Sequence, residues 1–181
     1  MYDAHNQPSR QQNSAILTFR LSGYTYALFI ADVIQIIEMA AIIHLPQSPA
    51  SVPGVINFHG TAVPIIDLRT HFSLPYQPYG AHTPIILINF TDRPLGLIVD
   101  SVEEVLDISD RQIIEPNTVL TPDLVDLEEP SWKDLYLVGL VEIAHKMVPI
   151  LQTDALLTPG QQAQVNEGIP DELLPEAPKS P

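Results

Sequence analysis

The sequence contains no cysteine. Disulfides, thiolate metal sites and a cysteine nucleophile are therefore excluded. Positive charge is scarce: eight Lys and Arg residues stand against 22 Asp and Glu residues, giving a formal net charge of -14 and a sequence pI near 4.5. Such a surface repels phosphate backbones and anionic headgroups, so we expect no nucleic-acid partner and no direct membrane contact.

Glycine is also sparse, and none of the eight glycines forms a phosphate-binding, dinucleotide-binding or nucleophile-elbow motif. The six histidines show no metal-ligand spacing. Asp67 and Asp100 follow apolar runs typical of buried strands, a frequent place for catalytic acids. No Ser or His partner accompanies them, so we interpret both as caps of turns. We predict no enzyme, metal, cofactor or small-molecule substrate, with catalysis by the two aspartates as a remote alternative.

One apolar run, residues 26–43 (YALFIADVIQIIEMAAII), is long enough to span a bilayer. Asp32 and Glu38 interrupt it, and an acid at mid-membrane costs about 3 kcal/mol to insert. We therefore predict buried core. Residues 1–14 are polar and lack the apolar stretch of a signal peptide. These features, and the absence of cysteine, fit a cytoplasmic protein.

The chain divides into one domain and two tails. Hydrophobic residues make up 45% of the 181 residues, enough for a sizeable core. We expect disordered tails at 1–14 and at 159–181, the latter acidic and rich in proline, around a domain at 15–158.

Within the domain the sequence repeats itself. Residues 16–37 align with 85–106 at a spacing of 69, and 54–66 align with 139–151 at a spacing of 85. The halves, about 16–74 and 85–157, are each marginal in size and should share an interface. The two spacings require an insertion in the second half, which the acidic stretch 117–135 can hold.

Each half consists mainly of short apolar runs around turn signals, which predicts hairpins. The four pairs of runs are 16–21 with 24–29, 55–58 with 61–66, 85–90 with 95–99, and 137–143 with 147–151. Pro64 and Pro149 should fall at bulges or sheet edges, because proline lacks a ladder donor. The period drifts towards that of a helix at Ala31–Ile37, Leu68–Phe72 and Thr153–Leu157, with Asp67 as N-cap of the second.

This order of motifs resembles the CheW family of chemotaxis adaptors over about residues 15–158. The family's GVxNxRG, VPxxDLR and GxxVDxVxxVL patterns are matched by GVINFHG (54–60), VPIIDLR (63–69) and GLIVDSVEEVL (96–106). The resemblance implies an all-β fold with short helices, in which two small five-stranded β-barrel subdomains share a core. It also implies a non-enzymatic adaptor that couples chemoreceptors to a CheA-type histidine kinase in a signalling array controlling motility.

Two partners follow from the resemblance. One is the cytoplasmic tip of a chemoreceptor coiled coil, held in the groove between the barrels. The other is the CheW-like regulatory domain of the kinase, held by barrel ends through apolar contacts with a polar rim. Through these partners the protein would sit at receptor arrays on the inner face of the membrane.

By the resemblance, the receptor groove is lined from two segments, and its residues are Val33, Gln35, Ile36, His59, Gly60 and Thr61. The family often has Glu and Arg at the positions of Gln35 and His59. A Gln35–His59 hydrogen bond, worth about 1 kcal/mol net, is expected to replace that charged pair. Because imidazole changes charge between about pH 5 and 8, receptor binding is expected to depend on pH.

Kinase contacts are expected at Val55, Gly96 and Val99, although core packing is an equal interpretation of the aliphatic positions. Asp67, Arg69 and Asp100 are expected to seal turns, with Arg69 paired to an acid.

Alternatives remain open for the output and the context. The altered groove suggests an adaptor of type IV pilus twitching or another non-flagellar chemosensory pathway. A CheW-like piece of a larger protein, such as a kinase tail, is disfavoured by the Met1 start and the terminal tail. Trp132 within the insertion is expected to anchor that loop or to contact a partner.

Overall fold

The computed structural model describes residues 13–115 and 136–168. The predicted insertion at 117–135, with Trp132, therefore lies outside the described residues. Within them the chain is almost entirely β, and the strands are β1 (Asn13–Leu21), β2 (Tyr24–Phe29), β3 (Val33–Glu38), β4 (Gly54–Phe58), β5 (Thr61–Asp67), β6 (Pro84–Phe90), β7 (Arg93–Ile98), β8 (Ser101–Ser109), β9 (Ile113–Ile114), β10 (Leu137–Ile143) and β11 (Lys146–Leu151).

All four predicted hairpins are present, with two turns shifted by one or more residues. β6 and β7 turn at Thr91 and Asp92, so Pro94 belongs to the strand and pairs with Asn89. β10 and β11 turn one residue earlier than expected, at Ala144-His145. Both turns place two consecutive residues at positive φ, the conformation of two-residue hairpins whose twist matches their strands.

Of the three predicted helices, one is confirmed. α1 spans Leu68–His71, and the Asp67 side chain caps it by accepting from the Arg69 backbone N–H at 2.9 Å. Thr153–Ala155 forms a short 3-10 helix. The helix predicted at Ala31–Ile37 is wrong: a 3-10 turn at Ile30–Asp32 leads directly into β3. The β-branched residues of that run favour a strand once β6 is available to pair with it.

The chain termini of the domain also differ from expectation. β1 already begins at Asn13, and α2 spans Pro159–Gly168, where we expected the disordered tail to start. A further 3-10 turn, Asp110–Gln112, precedes β9.

The strands form two sheets, one of six strands in the order β8-β1-β2-β11-β10-β9 and one of five in the order β3-β6-β7-β5-β4. The fold is thus mostly β with few short helices, as predicted, although one sheet has an extra strand. The sequence halves do not form separate sheets. The first hairpin of each half, β1–β2 or β6–β7, lies between strands of the other half.

The strand registers follow the internal repeat. Ile37 pairs with Ile85 between β3 and β6, and Leu106 pairs with Ile16 between β8 and β1. The parallel pairs Ile65–Gly96 and Ile150–Ala27 match in the same way. Because each half places its first hairpin in a sheet with strands of the other half, neither half forms its sheet alone. This agrees with the expectation that segments of this size are too small to bury a core alone.

Two glycines that are equivalent in the internal repeat, Gly54 and Gly139, show where the insertion lies. Gly54 lies against the Ile43 backbone and Gly139 against the Ile114 backbone, and in each case an added Cβ would approach the carbonyl oxygen within 3.0 Å. Eleven positions separate the first pair and 25 separate the second. Fourteen of the 16 additional residues that the two repeat spacings require therefore fall between Ile114 and Gly139.

Apolar residues pack in three main clusters. One lies with the six-stranded sheet and includes Ile16, Val141 and Ile150. A second lies with the five-stranded sheet and includes Ile56 and Ile85. The largest combines residues of both sheets: Leu17, Phe19, Leu21, Leu28, Val52, Ile66, Leu68, Ile86, Ile88, Phe90, Leu95, Leu97, Val99, Leu151, Leu156 and Leu157. This last cluster is the shared core.

Pro64 and Pro149 lie on interior strands, so their predicted location at bulges or edges is wrong. Pro64 pairs with Val55 on its antiparallel side, and Pro149 pairs with Leu140. Each comes one residue before its strand first pairs with the parallel neighbour. The missing N–H thus falls where the strand has a register partner on one side alone.

The apolar run at residues 26–43 is occupied by β2, a 3-10 turn and β3 rather than by a helix. Across the described ranges, no helix has the length and apolarity needed to cross a bilayer.

Candidate partner-binding surface

β3 forms one edge of the five-stranded sheet, and a bulge sets which way its side chains face. The register with β6 pairs Val33 with Ile88 and Gln35 with Leu87, leaving Ile34 as the extra residue. Val33 and Ile36 consequently face the shared core side with Ile88 and Ile86. Gln35 lies on the other face, next to Leu87.

Two large aliphatic side chains of β3 are open to solvent. Ile34 is 50% exposed and Ile36 is 42% exposed, whereas Val33 is partly buried against the shared core. We call the three exposed edge residues Ile34, Gln35 and Ile36 the β3 surface, in which Gln35 projects from the face opposite Ile36. Sequence reasoning included Gln35 and Ile36 but missed Ile34, because simple alternation does not reveal a bulge. Exposed Ile43, in the segment that joins β3 to β4, was also missed.

The other predicted groove residues form the β4–β5 turn. His59 and Gly60 both have positive φ, and the Gly60 N–H donates to Asn57 Oδ1 at 2.8 Å. The His59 ring is exposed and meets the Phe58 ring edge-on, with 4.3 Å between centroids. Thr61 follows at the start of β5, half-buried. The turn therefore presents an imidazole on a fixed two-residue frame.

β3 and the β4–β5 hairpin pack against the same apolar cluster, but the predicted hydrogen bond between Gln35 and His59 is not formed. Ile37 of β3 and Phe58 of β4 both pack against the apolar cluster of the five-stranded sheet. The side chains of Gln35 and His59, both within the described residues, form no hydrogen bond with each other. That expectation is wrong, and Gln35 and His59 are two separately exposed polar side chains.

The residues expected at the kinase contact lie inside the protein. Val55 and Val99 have no exposed surface, and Gly96 is buried. A Cβ at Gly96 would lie 2.6 Å from Ile65 Cγ2 and 2.9 Å from Ile85 Cγ2. Their side chains are unavailable to a partner, so the packing interpretation applies and direct contact does not.

The three residues expected to seal turns form a connected polar network. The Arg69 guanidinium pairs with Asp100 Oδ1 through Nε and Nη2 and donates to the Gln77 carbonyl from Nη1 at 2.9 Å. Asp100 Oδ2 accepts from the Ser22 backbone N–H at 2.7 Å. Because Ser22 is in the β1–β2 turn and Arg69 follows β5, the network joins the two sheets.

Asp67 is fully engaged beside this network. Its Oδ2 accepts a 2.6 Å hydrogen bond from the Tyr79 hydroxyl and a longer one from Thr70. Burial, together with the hydrogen bond and negative charge of Asp67, raises the pKa of Tyr79 well above its ordinary value of 10.0. Tyr79 therefore stays protonated and holds the loop after α1 against the sheet.

This arrangement leaves the carboxylates little chemistry to perform. The carboxylates of Asp67 and Asp100 each accept hydrogen bonds from neighbouring side chains and backbone. This argues against the alternative in which they act as catalytic acids. In the described part of the chain, no three His, Asp or Glu side chains group as metal ligands. The surface can offer apolar contacts, exposed strand edges and an imidazole.

The described residues thus form two interlocked β-sheets whose carboxylates Asp67 and Asp100 hold structural hydrogen bonds and whose edge strand β3 exposes aliphatic side chains. The sequence matches the CheW-like domain family over residues 15–161, so this chain belongs to the CheW family. Proteins of this family are scaffolding and adaptor proteins, not enzymes, which confirms the predicted class.

Individual proteins of this family are similar to the chain over most of its length. The chain is 30% identical to the chemotaxis protein CheW of Klebsiella aerogenes over 150 residues, covering 83% of this chain and 85% of that protein. It is 28% identical to the probable chemotaxis protein CheW of Rhizobium etli, covering 82% and 90%. The crystal structure of the scaffolding protein TtCheW from Thermoanaerobacter tengcongensis matches with a TM-score of 0.70 and 27% identity, covering 83% of this chain and 96% of that one.

Proposed function

We propose that this protein couples the cytoplasmic tip of a chemoreceptor coiled coil to a CheA-type histidine kinase, as a non-enzymatic cytoplasmic adaptor held at receptor arrays. Family membership supports the adaptor role. The observation that carries the receptor contact is the pair of exposed isoleucines on the β3 surface, Ile34 and Ile36.

The receptor contact uses general features of apolar recognition. Exposed large aliphatic side chains on an edge strand offer area that is released from water when a partner docks. Gln35 beside them and His59 on the β4–β5 turn supply a polar rim. Because these two side chains do not hydrogen-bond to each other, both can bond to a partner. A helical coiled-coil tip with an apolar stripe fits such a surface.

The kinase contact must use other atoms than those expected from the sequence. Since Val55, Gly96 and Val99 are buried, they act by setting the shape of the five-stranded sheet. A kinase that docks on the five-stranded sheet therefore contacts its exposed strand ends and turns.

Binding of two purified probes tests the proposal: a receptor cytoplasmic-tip fragment and the regulatory domain of the cognate kinase. Ile36→Ser should weaken receptor-tip binding by about tenfold or more, because an exposed contact residue is truncated without loss of core. Met147→Ser is the matched control, since Met147 lies on β11 of the other sheet and is 43% exposed, compared with 42% for Ile36. Equal effects of the two variants, or no binding of either probe by the wild type, would contradict the proposal.

His59 gives the receptor contact a pH dependence in this proposal. Receptor-tip affinity measured between about pH 5.5 and 8 should change with the charge of the imidazole. His59→Arg should remove the change. A flat profile that His59→Arg leaves unaltered would exclude a role for imidazole ionisation.

The motility output is proposed at the level of chemosensory control. Gln35 and His59 replace the charged residues frequent in the family, which favours a specialised adaptor, such as one serving type IV pilus twitching. Deleting the gene and scoring swimming and twitching separately distinguishes the two outputs.

A further inference from the structure

The internal repeat gives the β10–β11 hairpin the same two faces as the β4–β5 hairpin. One face of each hairpin packs into the apolar cluster of its own sheet. The opposite face of β10–β11 carries Leu140, Met147 and Pro149, and we call these three residues the outer face. At the repeat spacing of 85, their counterparts on β4–β5 are Val55, Ala62 and Pro64.

The two halves differ in how this face is covered. Val55 has no exposed surface and forms a cluster with Ala62 and with Leu45, which belongs to the segment that joins β3 to β4. In the second half, Met147 is 43% exposed and Leu140 is partly exposed. Within the described part of the chain, no apolar cluster includes either of these two side chains. A counterpart of Leu45 is therefore not found among the described residues.

Chain continuity brings residues 116–135, which include the predicted insertion, to the outer face. Ile114 pairs with Leu140, and the chain leaves the described residues one position later, at Glu115. It returns at Tyr136, four residues before Leu140, which is about 13 Å away along an extended strand. The 20 residues between these points are thus tethered beside the outer face at both ends.

Residues 116–135 have the apolar side chains that such a cover needs. Seven of the 20 are large and apolar, and Trp132 is the one aromatic residue among them. Met147 stands where the first half has the smaller Ala62, and a thioether makes favourable contacts with an aromatic ring. Space is available beside the face, in a groove of about 490 Å³ lined by Arg111, Gln112, Ile114, Glu142, Ala144 and His145.

We propose that residues 116–135 dock on the outer face and place Trp132 against Leu140 and Met147, as Leu45 packs on Val55 in the first half. The docked segment removes this face from contact with water and with other proteins. A second copy of the chain is a poorer occupant, because it would bring together two molecules that each have a net charge of -14.

Fluorescence measures the proposed contact, because Trp132 is the one tryptophan of the chain. Met147→Asp should shift its emission to longer wavelength and raise its quenching by acrylamide at least about twofold, since a charge replaces an apolar contact. Val105→Asp is the matched control and should leave both readings unchanged. Val105 is 55% exposed on β8, and β1 and β2 lie between β8 and β11. Equal changes in the two variants, or wild-type quenching as strong as in urea, would overturn the proposal.

Cross-linking tests the same contact independently, because the chain has no cysteine of its own. Trp132→Cys with Met147→Cys should react with a short bis-maleimide to give an internal cross-link, located by peptide mass spectrometry. Trp132→Cys with Val105→Cys should give none. A cross-linked dimer would assign the outer face to a second copy, and the absence of both products would leave it open to a separate partner protein. Either of these results would contradict docking of the chain's own segment.

Discussion

Arg69 and Asp100 form an ion pair at the boundary between the two sheets. The Arg69 side chain is 4% exposed and that of Asp100 is 21% exposed, and Asp100 also accepts from Ser22 in the β1–β2 turn. A guanidinium buried this deeply needs its counter-ion, because an unpaired charge away from water is strongly disfavoured.

Asp100→Ala should therefore destabilise the fold by about 3 kcal/mol, since it leaves a buried cation and an unpaired Ser22 N–H. Urea denaturation followed by circular dichroism measures this. Glu103→Gln removes an acid from the exposed pair with Arg20 and should cost less than about 1 kcal/mol. Similar losses in the two variants would show that the Arg69–Asp100 pair has no special weight.

Tyr79 should stabilise the protein through its hydroxyl. Tyr79→Phe removes the 2.6 Å hydrogen bond to buried Asp67 and should cost about 2 kcal/mol, as expected for a bond to a carboxylate. Tyr76→Phe is the control: Tyr76 is 68% exposed and lies beside Tyr79, so its loss should be within about 0.5 kcal/mol. The free energy of unfolding of both variants is measured at neutral pH. Equal losses would contradict a stabilising role of the Tyr79 hydroxyl.

His71 should make stability fall in mild acid. Burial lowers the pKa of His71 below 6.5, and its ring stacks on Tyr136 with 5.2 Å between centroids. Among residues 13–115 and 136–168, no group hydrogen-bonds to its Nε2. As pH falls below about 6.5, the unfolded chain takes up the proton first, so the native state loses stability until the folded pKa is passed. Above that range this histidine contributes no slope.

The measurement is unfolding free energy against pH for wild type, His71→Phe and His145→Gln. His71→Phe keeps an aromatic ring against Tyr136 and should flatten the profile below about pH 6.5. His145 is almost fully exposed, so His145→Gln should follow the wild type. A wild-type slope that survives His71→Phe would assign the acid sensitivity to other groups.

Gly96 should resist substitution because of its neighbours. Gly96→Ala would force a methyl group against Ile65 and Ile85, and overpacking of this kind costs about 1–3 kcal/mol. Gly160→Ala is the comparison, since nothing lies near its added Cβ. Thermal melts that are equal for the two variants would mean that the sheet relaxes around Gly96 at little cost.

Local patterns predicted the hairpins well because their signals lie within a few residues. Two-residue turns need backbone with positive φ, and pairs such as Ser22-Gly23 and His59-Gly60 indicate it directly. The Asp67 cap of α1 was predictable for the same reason. The segment at 31–37 was not, because its apolar spacing suits a helix or a strand until β6 is placed beside it.

The candidate surface shows a similar division. The family resemblance pointed to the β4–β5 turn and to residues 33–36 without predicting that the latter form a strand, and the exposure of Ile34 depends on a bulge that alternation in the sequence does not reveal. Val55, Gly96 and Val99 lie within the quoted motifs and are buried. An apolar motif position alone does not distinguish a partner contact from a core position.

The sequence by itself determined the β class, the four hairpins, the internal repeat and the family, because each depends on residue order over short spans or on alignment of one half with the other. The tertiary structure alone decided that the halves exchange hairpins, that Arg69 and Asp100 join the sheets, and which edge residues meet solvent. Strand order and bulges arise from backbone pairing between residues far apart in the chain, and the energy of that pairing belongs to no single segment.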